Sequence, residues 1–419
     1  MRLFVSFVLI FLICGLQAQV FVEKQTRYRF AQTTIGLDLQ RSQNGQSFFL
    51  DNDERIQSVS LPSVTKPRLI IGGTHFWGHA DFYIAIPLTF PRAQTNNQEI
   101  FYTSGVETVF KYYPWKIKSD RIRPFVGLSL TPYFFQHDNN NQTFSSGQGL
   151  THTSVPFVTG VTWAKGPHLV EVSTTWNYNN NQPYFISRAI ESDIETPPIF
   201  LSIAYKWMVD TTLGAEENWE NGKTKKAIDA LGGAGKLDGW FLGVGLSSAW
   251  WLGESSYNET NYPFVSDYGI SLLPDFAAGY YFYKADINMA LSYRPYGATI
   301  NSYGLSQTLK RRSLGFEVTK YLFDYHGFDP FIGPVLSWER LSFQQNDQGT
   351  NQQDVKRDLI AYGLTFGWDI RPDRAQSLIL RTNLRWFPNL DLTVEQNQKI
   401  SFKNIEFNFI QIIVFPNRW

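Results

Sequence analysis

The chain has 419 residues, and its 37 Lys and Arg are balanced by 37 Asp and Glu, so no electrostatic argument points to nucleic acid. Charged residues make up 18% and aromatics 16%, against about 25% charged in soluble proteins. That balance argues against a cytosolic enzyme and suits a surface that meets lipid and carries aromatic girdles.

Residues 1–18, MRLFVSFVLIFLICGLQA, carry one Arg, an apolar run from Leu3 to Ile13 and a small residue at Ala18. They read as a secretory signal peptide cleaved before Gln19. Cys14 is the only cysteine. The mature chain is therefore expected to make no disulfide, zinc–thiolate site or thiol nucleophile.

From Thr33 onward one pattern repeats: a strand, a short turn, a strand, a long polar connection. Strands are predicted at Thr33–Gln40, Arg68–Phe76, Phe82–Phe90, Phe101–Tyr112, Arg123–Phe135, Ser154–Trp163, Leu169–Tyr178 and Ile199–Trp207. The third alternates cleanly, with Phe82, Ile84, Ile86, Leu88 and Phe90 against Tyr83, Ala85 and Thr89, a period of two that marks a strand. Residues 209–239 break the rhythm. Glu216, Glu217, Glu220, Lys223, Lys225, Lys226 and Asp229 stand beside Ala227, Ile228, Ala230 and Leu231, which predicts a short solvated helix in a charged linker.

The pattern then restarts. Pro124-Phe125-Val126-Gly127 returns as Pro330-Phe331-Ile332-Gly333, Gly105-Val106-Glu107 as Gly315-Phe316-Glu317, and Ala80-Asp81 as Ala285-Asp286. Gly160 matches Gly363, and Trp176 matches Trp386. A duplicated eight-strand unit is expected, with a first repeat over 19–208 and a second over 240–419. Alternating short and long connections, and tryptophans at strand ends, predict an all-β transmembrane antiparallel barrel. One ring of about sixteen strands is favoured, with two tandem eight-stranded barrels as the alternative.

The last stretch, Ile405–Trp419, resembles the closing strand of Gram-negative outer-membrane β-barrels. The PFVG and PFIG segments resemble the porin-like superfamily of such barrels. The resemblance implies an outer-membrane location, contact with outer-membrane lipid, and a barrel-assembly machinery that reads Phe415 and Trp419. It implies no single activity. The even strand count puts both termini on the short-turn, periplasmic side. Asn417 stands where an aromatic is usual, and the other register (Ile410, Ile412, Val414) is apolar too.

Facing follows from alternation. Asp38, Glu107, Glu171, Lys206, Arg294, Glu317, Glu339, Arg381 and Arg385 are expected in the lumen, since a lone charge facing the lipid midplane costs about 2–4 kcal/mol. They would line an aqueous pore for small solutes, or form a salt-bridged plug that only holds the barrel together. His75, His79 and Asp81 have a spacing open to metal but read as turn residues, and no cofactor is expected. No G-x-S-x-G or phosphate-binding loop occurs, so a non-enzymatic role is expected over an outer-membrane hydrolase. The linker 209–239 is either a solvated tether or a docking segment for an envelope complex.

Overall fold

In the computed structural model, the described residues are 30–418 apart from 52, 91, 96–97, 140–145, 211–222, 267, 269–271, 326, 372–376 and 396. The expected signal peptide, much of the charged linker and Trp419 lie outside them.

Sixteen strands form two closed antiparallel meanders of eight. The first comprises β1 (Ala31–Ser42), β2 (Thr65–His75), β3 (Ala80–Pro87), β4 (Glu107–Tyr112), β5 (Arg121–Asn139), β6 (Phe157–Lys165), β7 (His168–Trp176) and β8 (Ile199–Asp210). The helix α1 (Lys223–Gly233) stands between the rings where a helical linker is expected, with Ile228 buried. The second ring comprises β9 (Gly239–Trp251), β10 (Leu272–Phe282), β11 (Ile287–Ser302), β12 (Leu305–Tyr321), β13 (Phe328–Asp347), β14 (Thr350–Ile370), β15 (Leu378–Phe387) and β16 (Asn404–Val414).

The favoured single ring of sixteen is therefore corrected to the tandem alternative. β8 pairs back onto β1 from Gln32↔Asp210 to Ser42↔Phe200, and β16 pairs back onto β9. Alternation is blind to this choice, because a strand has the same two faces whichever neighbour it finds. Eight strands leave an interior just wide enough for side chains. Bulky inward residues fill it: Tyr83, Tyr113 and Phe125 in the first ring, Phe241, Tyr281 and Phe331 in the second. The paired sequence segments fall in matching strands. Pro124 and Pro330 are in the fifth strand of their rings, Gly160 and Gly363 in the sixth, Trp176 and Trp386 in the seventh.

The second barrel departs from the expected long loops. β13 and β14 run for 20 and 21 residues, about twice the 9–11 needed to cross hydrocarbon. Their connection is only Gln348-Gly349, and that between β11 and β12 only Tyr303-Gly304. All four turn residues have φ between 48° and 83°, the two-residue primed turn whose twist matches that of the strands. The polar stretches read as loops are thus paired strand.

Both barrels are capped at the hairpin end. Over the first, the hairpins Gly45–Leu50/Ile56–Leu61 and Asn181–Phe185/Glu191–Glu195 help enclose Leu61, Ile100, Tyr133, Phe135, Tyr184 and Ile194. Over the second, α2 (Ser256–Asn261) and the hairpin Asp391–Glu395/Gln398–Ser401 enclose Tyr257, Phe264, Phe343, Leu392 and Phe402.

The barrels lie side by side. Phe82 of β3 contacts Trp368, Phe407 and Phe409 of the second barrel with ring centroids 5.8, 5.7 and 5.1 Å apart. At the short-turn end, Phe30 and Phe76 meet Tyr325 and Phe328. Phe76 and its neighbour Trp77 both hold left-handed backbone, φ 53° and 55°, a strain of about 1–3 kcal/mol each that seats both rings in this seam. At the hairpin end, Arg188 donates to Asp347 and to the Tyr303 carbonyl. Ring packing dominates the seam. Phe82→Ala should weaken it by about 1–3 kcal/mol, read as one unfolding transition in micelles splitting into two.

The closing strand resolves its own double register. A bulge beside Phe409 shifts the pairing of β16 with β9. Before it, Phe407 and Phe409 face the neighbouring barrel; after it, Gln411 and Ile413 turn inward. Phe415 follows them inward and is 1% exposed, 5.6 Å from the Phe241 ring. The bulge thus inverts the facing phase of β16 between Phe409 and Phe415.

Candidate functional site: two filled lumens

All nine charged residues expected inside are inside, four in the first barrel and five in the second, and none exceeds 5% exposure. Strand alternation places them there, and desolvation then dictates that they pair.

In the first lumen, Arg68 of β2 donates Nε to Asp38 of β1 at 2.8 Å and also reaches Glu107 of β4. Lys66 lies above it on Ser104. Nearer the short-turn end, Lys206 of β8 sits between Asp81 of β3 at 2.9 Å and Glu171 of β7 at 3.2 Å. Lys111 of β4 holds the other side of Glu171. Both ammonium groups lie over the Tyr83 ring, Lys206 at 3.8 Å and Lys111 at 4.6 Å, which adds a cation–π contribution. Arg123 closes the floor, donating to the carbonyls of Gly78 and Trp115 at 3.0 Å.

The second lumen uses arginine throughout. Arg385 of β15 donates to Asp275 of β10 at 2.6 Å and to Glu317 of β12 at 2.8 Å. Arg294 of β11 reaches Glu317 at 3.2 Å and Glu406 of β16 at 2.6 Å. Arg311 holds Glu339 of β13 with two 2.7 Å bonds and Glu406 with a third contact of the same length. Arg381 holds Asp369 at 2.8 and 2.9 Å. The planar guanidinium fork suits such bidentate pairing. These contacts lace strands across the lumen, not merely along the sheet.

An aqueous pore would leave these groups wet. Their burial favours the salt-bridged plug over an aqueous pore, because eight strands leave an interior just wide enough for side chains. Each carboxylate described here already holds a cation. The arrangement therefore ties the strands of each barrel together.

Several members were missed from sequence: Arg68, Asp81, Lys111, Asp275, Arg311 and Glu406. Lys111 was legible, since it shares a strand face with Glu107. Arg311 was obscured by Arg312 beside it, and Glu406 by the bulge that hides the phase of β16. His75, His79 and Asp81 diverge. Asp81 turns to Lys206, while His79 Nδ1 lies 2.9 Å from the Tyr113 carbonyl. Among the described residues no group of three or more His, Cys, Asp or Glu is placed to hold a metal.

No family model matches the chain, and no curated protein matches it. Solved structures that align with it are outer-membrane β-barrel proteins. Neisserial surface protein A shares 16% identity over 42% of this chain and 96% of its own, with a TM-score of 0.29. The attachment invasion locus protein Ail of Yersinia pestis shares 9% over 42% and 96%, with a TM-score of 0.26. An outer-membrane channel of Pseudomonas putida F1 shares 9% over 91% and 95%, with a TM-score of 0.19. Likeness at this level carries no argument about activity.

Proposed function

We propose that this chain is an outer-membrane protein whose two barrels are sealed supports, acting as a structural or assembly partner rather than through a bore. One observation carries the reading: the nine charged residues expected inside are buried and ion-paired, while the outward faces are apolar. Leu201, Ile203, Tyr205 and Trp207 of β8 and Trp240, Leu242, Val244 and Leu246 of β9 are all exposed. Closed rings satisfy the backbone within the protein, the condition for strands to cross lipid. Both termini and the α1 linker then fall on the short-turn side, which we assign to the periplasm, with the linker as the docking segment for an envelope complex. The capped hairpin ends face outward.

Passive diffusion of small solutes is the competing reading, and it needs a wet path through a lumen. In planar bilayers the purified protein should give no stepwise conductance. Regular, voltage-stable steps from the folded protein would overturn the sealed-barrel reading. Affinity isolation in mild detergent should recover a stoichiometric partner, lost when the linker is replaced by a neutral spacer.

A further inference from the structure

The outer face of the second barrel changes character along three adjacent strands. On β12 the outward series runs Phe316 and Leu314, then Arg312 and Lys310. On β13 it runs Leu336 and Trp338, then Arg340. On β14 Ile360 gives way to Asp358 and Lys356. The register aligns these changes. Arg312 is directly opposite Arg340, Arg340 opposite Asp358, and Ser342 lies between Lys310 and Lys356.

The row is short of anions. Asp358 is held by Arg340 at 2.8 and 2.9 Å, and Asp354 by Lys356 at 3.3 Å. Arg312 and Lys310 are exposed and have no ion-pair partner among the described residues. Arg340 is already matched by Asp358, which leaves Arg312 and Lys310, two residues apart on one face of β12, as the unmatched cations. An anion bridging Arg312 and Lys310 reduces the repulsion between them. A phosphate suits the site, since guanidinium forks bind its oxygens in pairs.

The position says what carries the phosphate. The row sits at the hairpin-side rim of the apolar band. Trp338 marks that rim, 5.1 Å from the Arg340 guanidinium, as tryptophan does at membrane interfaces. Leu314, Phe316 and Leu336 below offer a bed for acyl chains. We propose that Lys310 and Arg312, beside the Arg340–Asp358 pair, form a binding site for the phosphorylated headgroup of a lipid in the leaflet on the hairpin side. This rests on the membrane reading above.

The test inserts the full chain into vesicles of phosphatidylcholine with phosphatidic acid, and into vesicles of phosphatidylcholine with diacylglycerol. Native mass spectrometry after detergent extraction counts retained lipid. Phosphatidic acid should be retained about tenfold more than diacylglycerol, the ratio one charge-assisted hydrogen bond supplies. K310Q/R312Q should abolish the preference, while K320Q, at the opposite end of β12, should keep it. Correct folding of each variant is checked by its heat-dependent gel mobility. Equal retention of the two lipids, or equal loss in K320Q, would overturn the site. So would full displacement by inorganic phosphate, which would show that free phosphate is the occupant. Failure of the unmodified protein to enter either vesicle would instead overturn the membrane reading.

Discussion

Replacing Glu171 with leucine should destabilise the first barrel by about 3–5 kcal/mol, the loss expected when one partner of a buried ion pair is removed. Glu171 is 1% exposed and holds both Lys111 and Lys206. Without it Lys111 loses its ion-pair partner and Lys206 keeps Asp81 alone, both groups being buried. Urea unfolding in micelles, followed by gel mobility, reads the effect. Replacing all four members, Asp81, Lys111, Glu171 and Lys206, with well-packed apolar residues of similar volume should restore much of the loss, because paired charges barely repay their own desolvation. A loss below about 1 kcal/mol for the single change, the value of an exposed pair, would mean that water reaches the lumen. The sealed-barrel reading would then fail with it.

Ile203→Arg should destabilise the protein by about 2–4 kcal/mol in bilayers, and the same change at Val209 by about 0–1 kcal/mol. Both side chains point outward from β8, with Ile203 62% and Val209 42% exposed. They differ in depth, since Val209 lies at the strand's short-turn end, where an arginine can snorkel to the headgroups. Equilibrium unfolding from lipid vesicles measures both. Equal small effects at the two positions would show that β8 faces water. A depth-dependent difference has no source other than a hydrocarbon layer.

The two experiments separate the inside of the wall from its outside. In the first, a charge loses its partner in a dry interior. In the second, a charge enters a face with no partner to offer. The same physical rule places Glu171 and Ile203 on opposite sides of neighbouring strands.

Strand identity and facing were legible because alternation is local. Tyr83 and Ala85 went inward and Phe82 and Ile84 outward as their spacing demanded, and all nine charged candidates reached a lumen. Phase was lost where a local irregularity intervened. The bulge beside Phe409 turned Phe415 inward, and no residue type in that stretch announces it. The hairpins of the second barrel were misread for a related reason. Asn, Gln and Ser compose both solvated loops and solvated strands, and only the cross-strand ladder from Leu305↔Asp347 onward tells them apart.

Sequence alone determined that this protein is built of strands with one charged face and one apolar face, arranged as two similar sets. Those properties depend on residues two apart. The tertiary structure decided that β8 returns to β1, that the lumens close around arginine and lysine, and that the two rings meet along Phe82, Phe407 and Phe409. Those outcomes depend on which edges find each other across a hundred residues or more, and every strand edge offers the same backbone donors and acceptors to any partner.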